Sequence, residues 1–196
     1  MNFNTTVFWM NIQQSSPEVF YSIFCYTHIN MKGTIYTDGS SRGNPGPGGW
    51  GVIYFDDEVA HEKGGHHDDT TNNRMEMQAL IEGLLDVEDH VRHLTICADS
   101  EYVIKGATLW MKGWKKNGWK TAAKKEVLNQ DLWKNIDALY EELLFRKVVV
   151  EWKHVRGHAG IELNERADVI ATSYADKKEI ALFRGEKGKY AHFLGQ

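Results

Sequence analysis

The sequence predicts an α/β fold, a mixed sheet flanked by helices, and three observations carry that prediction. Short β-branched and aromatic runs alternate with segments of 3.6-residue apolar period. Their order along the chain reads β-β-β-α-β-α-(basic)-α-β-α, without internal repeats. The 196 residues, 42% of them hydrophobic, suffice for one ordinary core.

The β-branched and aromatic run Thr34-Ile35-Tyr36-Thr37 predicts a first strand over Thr34–Ser40. A glycine-rich loop, Arg42–Gly49, leads into a second strand at Trp50–Phe55, as in a hairpin, and Val59–His66 predicts a third. From Asn72 the period changes: Met77, Leu80, Ile81 and Leu84 fall at i, i+3, i+4 and i+7, the stripe of a helix packed on a sheet and ending before Val91. Leu94–Ala98 is a compact apolar strand. Asp99 and Ser100 then offer capping side chains for a helix over Glu101–Trp110. After a lysine-rich segment, Gln130–Leu144 keeps Leu132, Ile136, Leu139, Leu143 and Leu144 in helical phase. Val148–Val155 predicts a last strand, and a final helix starts near Asn164.

Composition narrows the setting. Two cysteines, Cys25 and Cys97, make neither a disulfide framework nor a metal-binding cluster, which fits a reducing, cytoplasmic environment. The run Phe20–Ile29 is short of the roughly 20 residues a membrane helix needs. Residues 1–31 lack Lys and Arg, and with them the features of secretory or transit peptides. Their one charged side chain, Glu18, sets them apart from the rest of the chain. The expected division is an extension at 1–31, a domain at 32–178 and a tail at 179–196. Net charge is −4, but seven lysines at 105, 112, 115, 116, 120, 124 and 125 leave −11 for the rest. Charge segregated in this way suits a polyanionic partner at one patch and cation-binding carboxylates elsewhere.

Four acids occupy awkward places. Asp38 and Asp99 end predicted strands, where sites of open α/β sheets collect. Glu76 shares the sheet-facing edge of its helix with Ala79, Leu80 and Gly83, and Asp168 shares a side of the last helix with Ala171 and Ala175. Singly, each has an ordinary reading as a cap, a turn or a solvated carboxylate. Brought together, such anions raise one another's pKa or require a cation. Oxygen-only ligands suit Mg²⁺ or Mn²⁺, and two such ions about 4 Å apart can activate water for phosphodiester hydrolysis.

Five motifs, TDGSSRGNPGPGGWG (37–51), TTNNRMEMQAL (70–80), ADSEYV (98–103), GWKKNGWKTAAKK (113–125) and VRGHAGIELNERAD (155–168), occur in order. Over about residues 33–176 the sequence resembles the type 1 ribonuclease H family, in its cellular, bacterial-like form with a basic protrusion. The resemblance implies a ribonuclease H-like fold with a mixed five-stranded sheet. It implies an endonuclease that cuts the RNA strand of RNA–DNA hybrids with Mg²⁺, two per site, or Mn²⁺, and leaves 5′-phosphate and 3′-hydroxyl ends. Carried over by position, the metal ligands are Asp38, Glu76, Asp99 and Asp168, the set already found awkward. His158 matches the family's loop histidine, which assists proton movement or product departure. Its flanks, Gly157 and Ala159-Gly160, suit a side chain that swings, and its intrinsic pKa suits proton transfer.

The same match assigns substrate contacts. Gly43, Asn44 and Asn72 would face the minor groove, where the 2′-hydroxyl separates RNA from DNA. Thr71 and Asn129 would hold a DNA-strand phosphate, with Trp110 against the DNA sugar. Lys112, Trp114, Lys115, Lys116, Trp119, Lys120, Lys124 and Lys125 would form the protrusion, at about 111–126. Two departures stand out: Asp68-Asp69, where several relatives carry a basic residue, and Glu101, where some are neutral. A monomer without membrane contact is expected. The alternatives are a non-catalytic binder of hybrid or double-stranded RNA and an integrase-like or retroviral enzyme on the same architecture. The intact carboxylate set disfavours the first, since a pure binder gains nothing from repelling phosphates there.

Overall fold

The computed structural model describes residues 31–157 and 159–195. The expected extension, apart from Met31, and His158 lie outside those residues. β1 (Met31–Ser41), β2 (Gly46–Phe55) and β3 (Val59–Thr70) form an antiparallel meander, and β4 (Val91–Ala98) and β5 (Val149–His154) add in parallel on the other side of β1. The expected α/β mixed sheet is present, but it has six strands where five were anticipated, in the order β5-β4-β1-β2-β3-β6. The sixth, β6 (Arg184–Glu186), comes from the segment read as a tail and pairs antiparallel with β3. Met31 is likewise buried and opens β1 opposite Val91.

One face of the sheet carries α1 (Asn72–Leu85) and α4 (Gln130–Phe145), which bury Met77, Leu80, Trp133 and Ile136 against Ile35, Val52 and Ile96. Thr71 caps α1 by accepting from the Arg74 N–H. On the other face α5 (Glu162–Ala175) packs Ala167 and Ile170 over Ile53, and α6 (Lys187–Leu194) adds Tyr190 and Phe193 to that second core.

The helix expected over Glu101–Trp110 is divided. α2 (Glu101–Lys105) gives way to a π-helical turn over Gly106–Trp110, and α3 (Met111–Lys116) follows. At the junction the chain passes close to α4: a Cβ at Gly106 would stand 2.1 Å from the Trp133 indole. The ring occupies the space a side chain would need, so only glycine fits at this point. Among the described residues no helix is long and apolar enough to cross a membrane.

Candidate active site

Strand register creates the first half of the site. β1 and β4 run parallel with Thr37 opposite Ala98, so Asp99, just past the end of β4, stands beside Asp38, which does not end its strand as expected but lies within β1, paired with Gly51 of β2. Gly39 lets α1 come close: a Cβ there would lie 2.1 Å from the Glu76 backbone nitrogen. Glu76 therefore reaches the same point from above the sheet, and α5 contributes Asp168 from below. Carboxylate oxygens of Asp38, Glu76 and Asp99 all lie within 4.8 Å of one another. With Asp168 they line a cleft of about 220 Å³, together with Asn72, Asn164 and Glu165. A larger depression of about 880 Å³ beside His66, Asp68 and Lys177 contains none of the four acids, so size alone does not mark the chemistry.

The cleft is electrostatically unfavourable by itself. Burial, with the negative charges of Asp99 and Asp168, pushes the Asp38 carboxyl up to about 8. Glu76 is driven well above the usual carboxylate range by burial and then by Asp38 and Asp99. One oxygen of Glu76 accepts from Asn72 Nδ2 at 3.5 Å, whereas Oε2 is buried without a partner. Asn164 Oδ1, in a side chain only 2% exposed, is equally unpartnered. Orphaned buried acceptors among carboxylates match the donor set of a hard divalent cation and its water. Asn164 was not singled out from sequence; its burial inside the NERAD turn becomes visible only once α5 is docked.

The expected substrate residues divide into groups. Gly43 and Asn44 are exposed on the β1–β2 loop, and Asn72 is exposed at the start of α1. Thr71 and Asn129 converge on Arg74, whose backbone N–H donates to Thr71 Oγ1 at 3.4 Å and whose Nη1 donates to Asn129 Oδ1 at 3.5 Å. The same guanidinium forks onto Asp131 at 2.7 and 3.0 Å. Arg74 is thus the cation of this corner, overlooked in a motif read for its Thr, Asn and Glu. Asp68 is held by Lys177 at 2.7 Å and by His66 at 3.0 Å, and Glu101 pairs with Lys105.

Trp110 is 37% exposed and begins an aromatic series that runs inward through Trp114 to the buried Trp133, with ring centroids 5.7 and 5.5 Å apart. Trp114 and Trp119 are half-buried against the core, so they anchor the protrusion to the domain. Lys112, Lys116, Lys120, Lys124 and Lys125 are exposed. Lys115 differs, since its ammonium bonds Asp137 and Glu141 on α4 at 3.0 and 2.8 Å. The loop after β5 is tied to α5 by Gly160 N–H donating to Glu165 Oε1 at 2.9 Å.

Comparison with known proteins agrees with this architecture. The family model for RNase H matches residues 30–176. A ribonuclease H of Thermosynechococcus vestitus is 54% identical over 159 residues, covering 80% of this chain and 94% of the relative. Among solved structures, LC9-RNase H1, a type 1 RNase H with the type 2 active-site motif, superposes with a TM-score of 0.63 at 29% identity, over 85% of this chain and 82% of the other. LC11-RNase H1 in complex with RNA/DNA hybrid superposes with a TM-score of 0.53 at 27% identity, over 74% of this chain and 97% of the other.

Proposed function

The chain belongs to the type 1 ribonuclease H family, and we propose how it acts as an endonuclease on the RNA strand of RNA–DNA hybrids. The observation that carries the proposal is the convergence of Asp38, Glu76 and Asp99 within 4.8 Å, with a buried Glu76 oxygen left unpartnered. Asp38, Glu76, Asp99 and Asp168 would hold Mg²⁺, or Mn²⁺ in its place. Bound there, divalent ions supply water activation and stabilisation of the leaving oxygen, giving 5′-phosphate and 3′-hydroxyl ends.

The chain's own residues do the rest. Asn72 orients Glu76 through its amide. Asn164 offers an acceptor that fits a water or hydroxyl at the reacting phosphate. His158 is assigned proton transfer or product departure on the strength of the motif. Gly43 and Asn44 would approach the RNA backbone, and Thr71 and Asn129, with Arg74 between them, would hold a phosphate of the DNA strand. Trp110 would rest on a deoxyribose. All four carboxylates come from one chain, so a monomer suffices.

A hybrid labelled on each strand, incubated with Mg²⁺, Mn²⁺ or chelator, tests the assignment. RNA cleavage should require the ion. Cleavage of the DNA strand, or cleavage that persists in chelator, would defeat it.

The protrusion makes a separate prediction. Replacing Lys112, Lys116, Lys120 and Lys124 by Ala should raise the KM for hybrid and flatten its salt dependence, with turnover at saturation little changed. Each lost phosphate contact should remove about 0.7–0.9 from the slope of log affinity against log salt. Lys115→Ala should leave that slope almost unchanged, because Asp137 and Glu141 already neutralise its ammonium. An equal effect of Lys115 and its neighbours on the slope would contradict the distinction.

A further inference from the structure

Beyond residue 176 the chain runs past the stretch the family model matches, yet it is bound to the helix that carries Asp168. The link is Arg166, whose guanidinium forks onto Glu62 of β3 with Nε and Nη2 each 2.8 Å from a carboxylate oxygen. Glu62 is fully buried at its side chain, and the C-terminal segment completes its coordination. The Tyr190 hydroxyl donates to Oε1 at 2.7 Å, and the Phe183 N–H donates to Oε2 at 3.0 Å. Arg166 Nη2 also donates to the Ala181 carbonyl at 2.6 Å, and the guanidinium lies 5.4 Å from the centre of the Phe193 ring. Both oxygens of this buried carboxylate are bonded, and two of its donors come from the segment.

Arg166 and Asp168 are two residues apart on α5, a rotation of about 200°. One side of the helix is therefore gripped by Glu62 and the C-terminal segment, while the opposite side presents Asp168 to the cleft. Bidentate charge-assisted bonds fix orientation as well as distance. Holding the grip sets both the rotation of α5 about its axis and its depth on the sheet, the two quantities that decide where the Asp168 carboxylate lies relative to Asp38.

We propose that residues 180–194 are a positioning element of the active site, acting through the Glu62–Arg166 pair to place Asp168 for the metal. The proposal rests on the reading of Asp168 as a ligand. It makes Glu62, Arg166 and Tyr190 positioning residues, remote from the substrate, whose loss should be read in ion affinity and not in hybrid affinity.

The test uses the full chain. Tyr190→Phe removes one donor and keeps the packing of the ring; Arg166→Lys keeps the charge and loses the fork. Both variants, with Asp168→Asn as reference, are titrated with Mn²⁺ by calorimetry and assayed for KM on hybrid well below their melting temperatures. The expected result is Mn²⁺ binding weakened on the order of tenfold, as when groups that orient metal ligands are removed. The KM for hybrid should hold, and neither substitution should weaken ion binding further when combined with Asp168→Asn. Variants that melt lower but bind Mn²⁺ as wild type does would overturn the proposal and reduce the segment to structural support, and losses that add fully to that of Asp168→Asn would overturn it too. Wild-type Mn²⁺ binding by Asp168→Asn itself would show instead that the ligand reading had failed, and the proposal would fall with it.

Discussion

Asp38→Asn should cut RNA cleavage by at least roughly a hundredfold, the scale of losing one preorganised electrostatic group, and should at the same time stabilise the ion-free protein. The second effect comes from the sign of its pKa shift. In the unfolded chain the carboxyl has its ordinary value of 3.8; in the fold, burial and the charges of Asp99 and Asp168 lift it to about 8. Between those values the folded chain retains a proton that the unfolded chain releases, so wild-type stability falls as pH rises through that window. Above pH 8 the full penalty is present. Asparagine never ionises, and the variant should gain on the order of a few kcal/mol over wild type at that end. Melting curves from pH 4 to 9 without divalent ions should show the two proteins nearly level at the acid end and diverging upward. Mg²⁺ should raise the wild-type melting temperature and leave the variant almost unmoved. An Asn variant less stable than wild type at pH 8 would show that the cluster is not under electrostatic stress.

Gly39→Ala should damage the protein more broadly than any single carboxylate replacement. The new methyl group would meet the Glu76 nitrogen at 2.1 Å, the Met75 carbonyl carbon at 2.4 Å and the Glu76 Cα at 2.7 Å. All three are backbone atoms, so no rotamer change relieves the clash, and α1 must move off β1 by roughly an ångström. Overpacking of this kind costs about 1–3 kcal/mol, and the rigidity of the partner places this case at the upper end. Glu76 would be carried away from Asp38 by the same movement. A displacement of about 1 Å is enough to reduce turnover by two orders of magnitude. Urea unfolding and Mn²⁺ titration report the two consequences separately. A variant with wild-type stability and ion affinity would mean that the close β1–α1 approach does not hold the site together.

The central elements were legible in the sequence because their signals are local. Thr34–Ser40 and Leu94–Ala98 announce strands by composition, and Asp38 within the first and Asp99 just after the second need only parallel pairing to meet. The helix bearing Glu76 shows its buried stripe through Met77, Leu80 and Ile81. What stayed hidden depends on contacts between distant residues. β6 is three residues long, Arg-Gly-Glu, too short and too polar to show any alternation. Glu62 reads as a surface residue of a strand until Arg166, Phe183 and Tyr190, over a hundred positions away, close around it. Lys115 looks like its neighbours in a basic run, and only the docking of α4 shows that Asp137 and Glu141 have claimed it. The packing of the protrusion's tryptophans is a further case. Interleaved with lysines they read as part of the basic protrusion, and only the fold shows Trp114 and Trp119 packed against the core.

The pairing of Thr37 with Ala98 has a consequence for how the chain folds. Side chains alternate faces along a strand, so sliding β1 by one residue against β4 would turn Asp38 away from Asp99. Misaligned chains would then lack the proposed ion site, while correctly aligned chains would gain the full binding energy of the ion. On the proposed ligand set, a divalent cation present during refolding would act as a proofreader of strand alignment, rewarding the one arrangement in which the two aspartates stand together.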